Sequence, residues 1–203
     1  PSMRWLTLHL RARRAPIAVA SAGGCAAAMW SLWSLCSDSR AVGIQLVVLT
    51  VLLLVAALTA TLGGPDDALE ATAALPWPRL RAAHLVAAFL IVVALPLATL
   101  ATGARFGPAW LVVRDAGGLL GLTALSAATI GTARAWFVPL GWTLAAILFP
   151  QSEPVVGVAL TWQAQPPASS IAAGTAGLLG FGGLIAYAVA GPARRPPAEA
   201  AQQ

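Results

Sequence analysis

Few residues of this chain can do chemistry, and they fall in a handful of places. The stretch from Gly63 to Arg81, GGPDDALEATAALPWPRLR, holds the acids Asp66, Asp67 and Glu70, then Arg79 and Arg81. A second constellation is the adjacent pair Arg114 and Asp115. Histidine occurs only at positions 9 and 84, cysteine only at 25 and 36, and all 12 basic residues are arginine. Without lysine the chain can build neither the phosphate-gripping P-loop G-x-x-x-x-G-K-[ST] nor a Schiff base. Cys25 and Cys36, on one helix, would sit ~16 Å apart along its axis, beyond the reach of a disulfide. They read as small apolar packing residues without metal-ligand spacing. His9 and His84 read as interfacial, not as paired haem ligands. No nucleophile has an evident base, so an enzyme is not expected.

The elements that must carry these residues are membrane spans. Only 9% of the residues are charged and 59% are hydrophobic. Segments of about twenty residues almost free of charge recur, the length that crosses ~30 Å of hydrocarbon. The expected fold is all-α: an amphipathic interfacial segment over 1–14, a six-span transmembrane domain over 15–191 and a disordered cytoplasmic tail over 192–203. The spans are expected near Ala15–Cys36, Val42–Leu62, Ala82–Leu100, Asp115–Thr132, Ala135–Phe149 and Ser170–Ala190, with Ala109–Val113 lying at the interface and a kink at Pro96. The N-terminal apolar run, too long for a cleavable leader, behaves as a start-transfer span.

Arginine placement sets the orientation. Arg4, Arg11, Arg13, Arg14, Arg79, Arg81, Arg134, Arg194 and Arg195 collect on one side of a six-span map, against Arg40, Arg105 and, near the surface, Arg114 on the other. The positive-inside rule makes the first side cytoplasmic, with both termini there. The arginines therefore serve membrane topology, and nucleic acid is not an expected partner. The Ala, Arg, Gly and Pro bias is that of a GC-rich genome, and the expected location is a bacterial plasma membrane, multi-pass in its lipid bilayer.

The acidic stretch is then a cytoplasmic loop between the second and third spans. Gly64-Pro65 ends one span and suits the first turn of a new helix. Asp66 and Asp67 follow where a helix dipole favours negative charge, and Asp67 with Glu70 has capping-box spacing. Ala68 to Leu75 are helix formers, and Pro76 and Pro78 stop the run. A short acid-tipped helix over about 65–76 is expected at the cytoplasmic surface. It either reverses the chain or presents Asp66, Asp67, Leu69 and Glu70 to a cytosolic partner.

This stretch resembles the coupling helix of type-2 ABC exporter permeases, whose pattern is close to G-T-L-E, several apolar residues, then P-x-x-R. Leu69-Glu70 matches the Leu-Glu pair, Pro76 follows Glu70 by six residues and Arg79 follows Pro76 by three; Asp67-Ala68 replaces the Gly-Thr pair. Six spans, a basic amphipathic leading segment and a long outer connection before the last span are also similar to that family. The resemblance implies a permease subunit of an ATP-driven exporter for an apolar or amphipathic compound (drug, peptide or lipid). It implies docking through Asp66, Asp67, Leu69, Glu70, Pro76 and Arg79 to a separate cytosolic ATPase that would carry ATP and Mg, and pairing with a second permease, identical or homologous. The alternative is a non-transporting scaffold or accessory subunit of a larger membrane complex.

Three further features bear on packing. Gly117 and Gly121, and Ala172, Ala176 and Gly180, recur at four-residue spacing, which lets helix backbones approach closely. Arg114-Asp115 is a functional candidate if intramembrane. The reading favoured by sequence puts it just outside, with Arg114 snorkelling to headgroups and Asp115 opening the fourth helix. The Pro-rich connection 150–169 is long for a plain loop; likeness to the family implies a re-entrant or surface-lying element.

Overall fold

Helices are the only backbone form that satisfies its own polar groups in lipid without closing a barrel, and the computed structural model is helical throughout its regular elements. It describes residues 15–63 and 76–193. The amphipathic segment 1–14, nearly all of the acidic coupling segment with Asp66, Asp67, Leu69 and Glu70, and the tail beyond 193 lie outside the described residues.

The helices are α1 (Ala15–Cys36), α2 (Ile44–Thr59), α3 (Trp77–Ala98), α4 (Ala109–Ile130), α5 (Phe137–Leu148), α6 (Val155–Leu160) and α7 (Ser170–Ala190). Among the described residues four are long and apolar enough to cross a membrane: α1, α3 with the 3-10 turn that extends it to Ala101, α4 and α7. The second and fifth expected spans are the shorter apolar helices α2, of 16 residues, and α5, of 12. Ser169 caps α7 by accepting the Ala172 N–H at 3.3 Å. Pro96 sits in the last turn of α3, where the chain tightens into the 3-10 turn Thr99–Ala101 and the Thr99 hydroxyl donates to the Pro96 carbonyl at 2.6 Å.

The fourth span needs correction. Its helix begins at Ala109, directly after Pro108, and Ala109–Val113 are its first turns instead of a separate interfacial piece. Arg114 and Asp115 therefore lie more than a turn inside the helix.

One end of the bundle is closed by the loops after α1 and α3. Arg105 N donates to Arg40 O at 2.7 Å and Val42 N to Arg105 O at 3.2 Å, while Trp30 Nε1 reaches the Thr102 hydroxyl at 2.9 Å. The opposite end is tied by Ala193 N donating to Ala127 O and by the Tyr187 hydroxyl donating to Leu62 O. The helices thus alternate in direction, as short connections between antiparallel neighbours require.

Helix α4 is the axis of the molecule. Within its most apolar stretch 78% of residues are buried, against 22% for α7 and 11% for α1. Its buried hydroxyls do not need partners on other helices, since Thr123 and Ser126 donate to Leu119 O and Leu122 O one turn back. Among apolar helices in lipid, close packing replaces the hydrophobic drive of water. Helices α4 and α7 form the most extensive contact in the bundle.

Candidate functional site

The buried polar centre of the bundle starts from Arg114, on α4, 4% exposed, and Asp115, fully buried. Arg114 Nε donates to Asp115 Oδ1 at 2.8 Å. The rest of the guanidinium reaches the connection between α5 and α7: Nη1 donates to Pro166 O at 3.0 Å, Nη2 to Gln165 O at 3.1 Å and to Gln163 O at 3.4 Å. A planar fork with five donors suits this task, and Lys could not repeat it. The connection is not a bare loop. It holds the short α6 and a 3-10 turn, Trp162–Ala164, and it packs into the bundle.

Why the connection sits there follows from its side chains. Trp162 is fully buried, with its ring against Gly118 of α4, where any Cβ would collide with the indole. The Gln165 amide donates to Gln151 O at 2.7 Å and to the Thr161 hydroxyl at 2.8 Å; Gln163 is fully buried and its amide points to the Thr143 hydroxyl of α5 at 3.4 Å. Asp115 Oδ2, Gln163 Oε1 and Trp162 Nε1 are buried without a hydrogen-bond partner. The reading favoured by sequence, with Asp115 opening the fourth helix and Arg114 snorkelling to headgroups, is corrected: the helix starts at Ala109, both side chains are buried among the helices, and Arg114 anchors the connection. That reading missed Trp162, Gln163, Gln165 and Thr143 as members of one polar centre.

The glycines of α4 and α7 divide into two sorts. A Cβ at Gly121 would fall on the Leu179 carbonyl and Gly180 Cα, and one at Gly183 on the Gly121 carbonyl; one at Gly180 would lie 3.2 Å from Gly117 O. Here the two backbones touch. Gly177, by contrast, has nothing within 4 Å of a Cβ position. Ala172 and Ala176 are buried on α7. The contact of Gly183 with Gly121 lies outside the four-residue pattern read from the sequence.

Beside this seam a cleft of about 420 Å³ opens between α3, α4 and α7. Phe89, Trp110, Val113 and Phe181 form its walls, Gly117 and Gly177 part of its floor, and Arg114 is the one charged residue in its lining.

The residues of the acidic stretch that are described lie at the far end of the bundle. Pro76 and Arg79 are exposed, and the Pro76 carbonyl opens α3 by accepting the Arg79 and Leu80 N–H groups at 3.0 and 3.2 Å. The Thr61 hydroxyl meets His84 Nε2 at 2.9 Å, and the Arg81 guanidinium lies over Gly191, whose φ of +72° and missing side chain both suit glycine. Cys25 is half-buried against the core and Cys36 exposed, both free. Among the described residues no three of His, Cys, Asp and Glu converge as metal ligands.

Compared with protein-family models, curated proteins and solved structures, the chain matches none. What its own architecture defines is the class: a mostly helical, polytopic membrane protein with several apolar helices of membrane length.

Proposed function

We propose that this chain is the transmembrane permease subunit of an ATP-driven exporter, of the type-2 ABC kind, moving an apolar or amphipathic compound. It works as one of two permease halves, with ATP and Mg held by a separate cytosolic ATPase. The six apolar helices supply the bundle, and the acidic segment between α2 and α3 supplies the docking residues, with Leu69-Glu70, Pro76 and Arg79 at the sequence spacing of a coupling helix.

The observation that carries the reading is how the two stems of that segment are held. Leu62, where α2 runs out, accepts a hydrogen bond from Tyr187 of α7, and Arg81, on the first turns of α3, lies against Gly191 just beyond α7. Thr61 and His84 join the stems directly. A push on the segment would therefore reach α7, and through the glycine seam α4, instead of dissipating in a slack loop. Rigid elements with packed contacts are what transmit such coupling.

The test is retention of an ATPase. The protein, extracted from its native membrane in mild detergent, is expected to bring down a nucleotide-hydrolysing subunit identified by mass spectrometry. Glu70→Arg is expected to abolish that retention, whereas Glu153→Arg, in the connection at the other end of the bundle, leaves it intact. Purification without any ATPase, or equal retention in both variants, refutes the docking and favours the scaffold alternative.

A further inference from the structure

We propose that the cleft between α3, α4 and α7 is a binding site for a single acyl chain of a bilayer lipid, entered sideways from the hydrocarbon. The cleft opens on the outward faces of these helices: Trp110 is 55% and Phe181 71% exposed, and Val86 on α3 is also exposed. Those faces continue into Leu178, Ile185 and Val189, exposed apolar residues of a membrane-length helix. The opening thus lies within surface that meets lipid tails.

Chemistry and size select the occupant. Arg114 brings little attraction for an anionic headgroup, because Asp115 offsets its charge and three carbonyls of the 150–169 connection take most of its other donors. The other lining residues are aliphatic, aromatic or glycine. A methylene fills about the same space as a water, ~30 Å³, so the cleft accommodates roughly a dozen carbons of one chain. Trp110, at the first turn of α4, marks the end nearer the headgroups, where indole rings sit.

The proposal rests on the fold alone and is independent of the exporter reading. It is tested with the full-length protein in nanodiscs of phosphatidylcholine containing a phosphatidylcholine with a diazirine at one chain end. Illumination is expected to concentrate label on Phe89, Phe181 and Leu184, lining residues away from Trp110, above the density found on the outward face of α1, at Leu32 and Leu35. Gly177→Leu, which fills the cleft from a position where a Cβ meets no neighbour, is expected to reduce cleft label to the α1 level while α1 label stays constant. Ala173→Leu, from the same wall, should do likewise, so a folding defect peculiar to one variant cannot carry the result. Uniform labelling of all outward faces, or cleft label indifferent to both substitutions, overturns the proposal. So does a protein–protein crosslink through the cleft, which would assign it to a second copy.

Discussion

Replacing Arg114 by Met keeps the length and the apolar stem of the side chain while removing every hydrogen bond of the guanidinium. Two consequences follow. Asp115, fully buried, loses its counter-ion, a change that costs ~3–5 kcal/mol when one partner of a buried pair is deleted. The carbonyls of Gln163, Gln165 and Pro166 lose their donor, at ~1–3 kcal/mol for a buried orphan; the connection can limit that loss by lifting away from α4 towards headgroup water. The charge therefore dominates. At ~2–4 °C per kcal/mol for a chain of this size, Arg114→Met is expected to lower the midpoint of thermal unfolding by about 6–20 °C, read from tryptophan fluorescence in nanodiscs. The sharper comparison is Arg114→Met with Asp115→Leu. With no uncompensated charge left, the double variant is expected to be more stable than Arg114→Met alone, and limited proteolysis should show the 150–169 connection more open in both. A double variant that loses as much as the two single losses added, or an Arg114→Met protein that melts like the parent, refutes the ion-pair argument.

The glycine seam gives a contrast within one helix pair. Gly121→Ala should destabilise the bundle by ~1–3 kcal/mol, the range for overpacking a tight interior, because its methyl group lands on α7 backbone. Gly177→Ala, with open space about a turn away on the same pair, should stay within ~0.5 kcal/mol; equal effects in thermal unfolding would deny that the backbones touch at Gly121. At the opposite end, Tyr187→Phe leaves the buried Leu62 carbonyl without that donor, at ~1–3 kcal/mol. Hydrogen exchange should accelerate at the end of α2 and the start of α3 and not at α6, and uniform acceleration would show that the tie has no local role.

Much of the fold is legible from length and apolarity, because a bilayer imposes both. The first and last membrane-length helices, Ala15–Cys36 and Ser170–Ala190, end where apolar runs meet Ser or Gly, and the last begins behind a Ser cap. The fourth was misplaced for a physical reason. An arginine and an aspartate are expensive in hydrocarbon, so sequence reasoning puts the helix boundary at the charge. Pro108 before Ala109-Trp110 was the stronger start signal, and the charge was affordable because its partners arrive from residues 163–166, some fifty positions away. No local pattern announces that meeting. The short α2 and α5 were lengthened in the reading because flanking apolar residues such as Leu62 and Phe149 belong to turns, not helices. Spacing of small residues did single out Gly117, Gly121 and Gly180; it could not single out Gly183 or separate them from Gly177, since which glycine faces a backbone depends on the rotation of both helices.

The glycine seam constrains how this protein can change shape. With the Gly121 carbonyl occupying the place of a side chain at Gly183, and Leu179 and Gly180 backbone filling that at Gly121, neither rod can slide along or roll over its neighbour without steric collision. The central two helices consequently travel as one keel, and any rearrangement of the bundle is confined to the lighter planks around it, α1 foremost, whose few buried residues leave it the most freedom to swing.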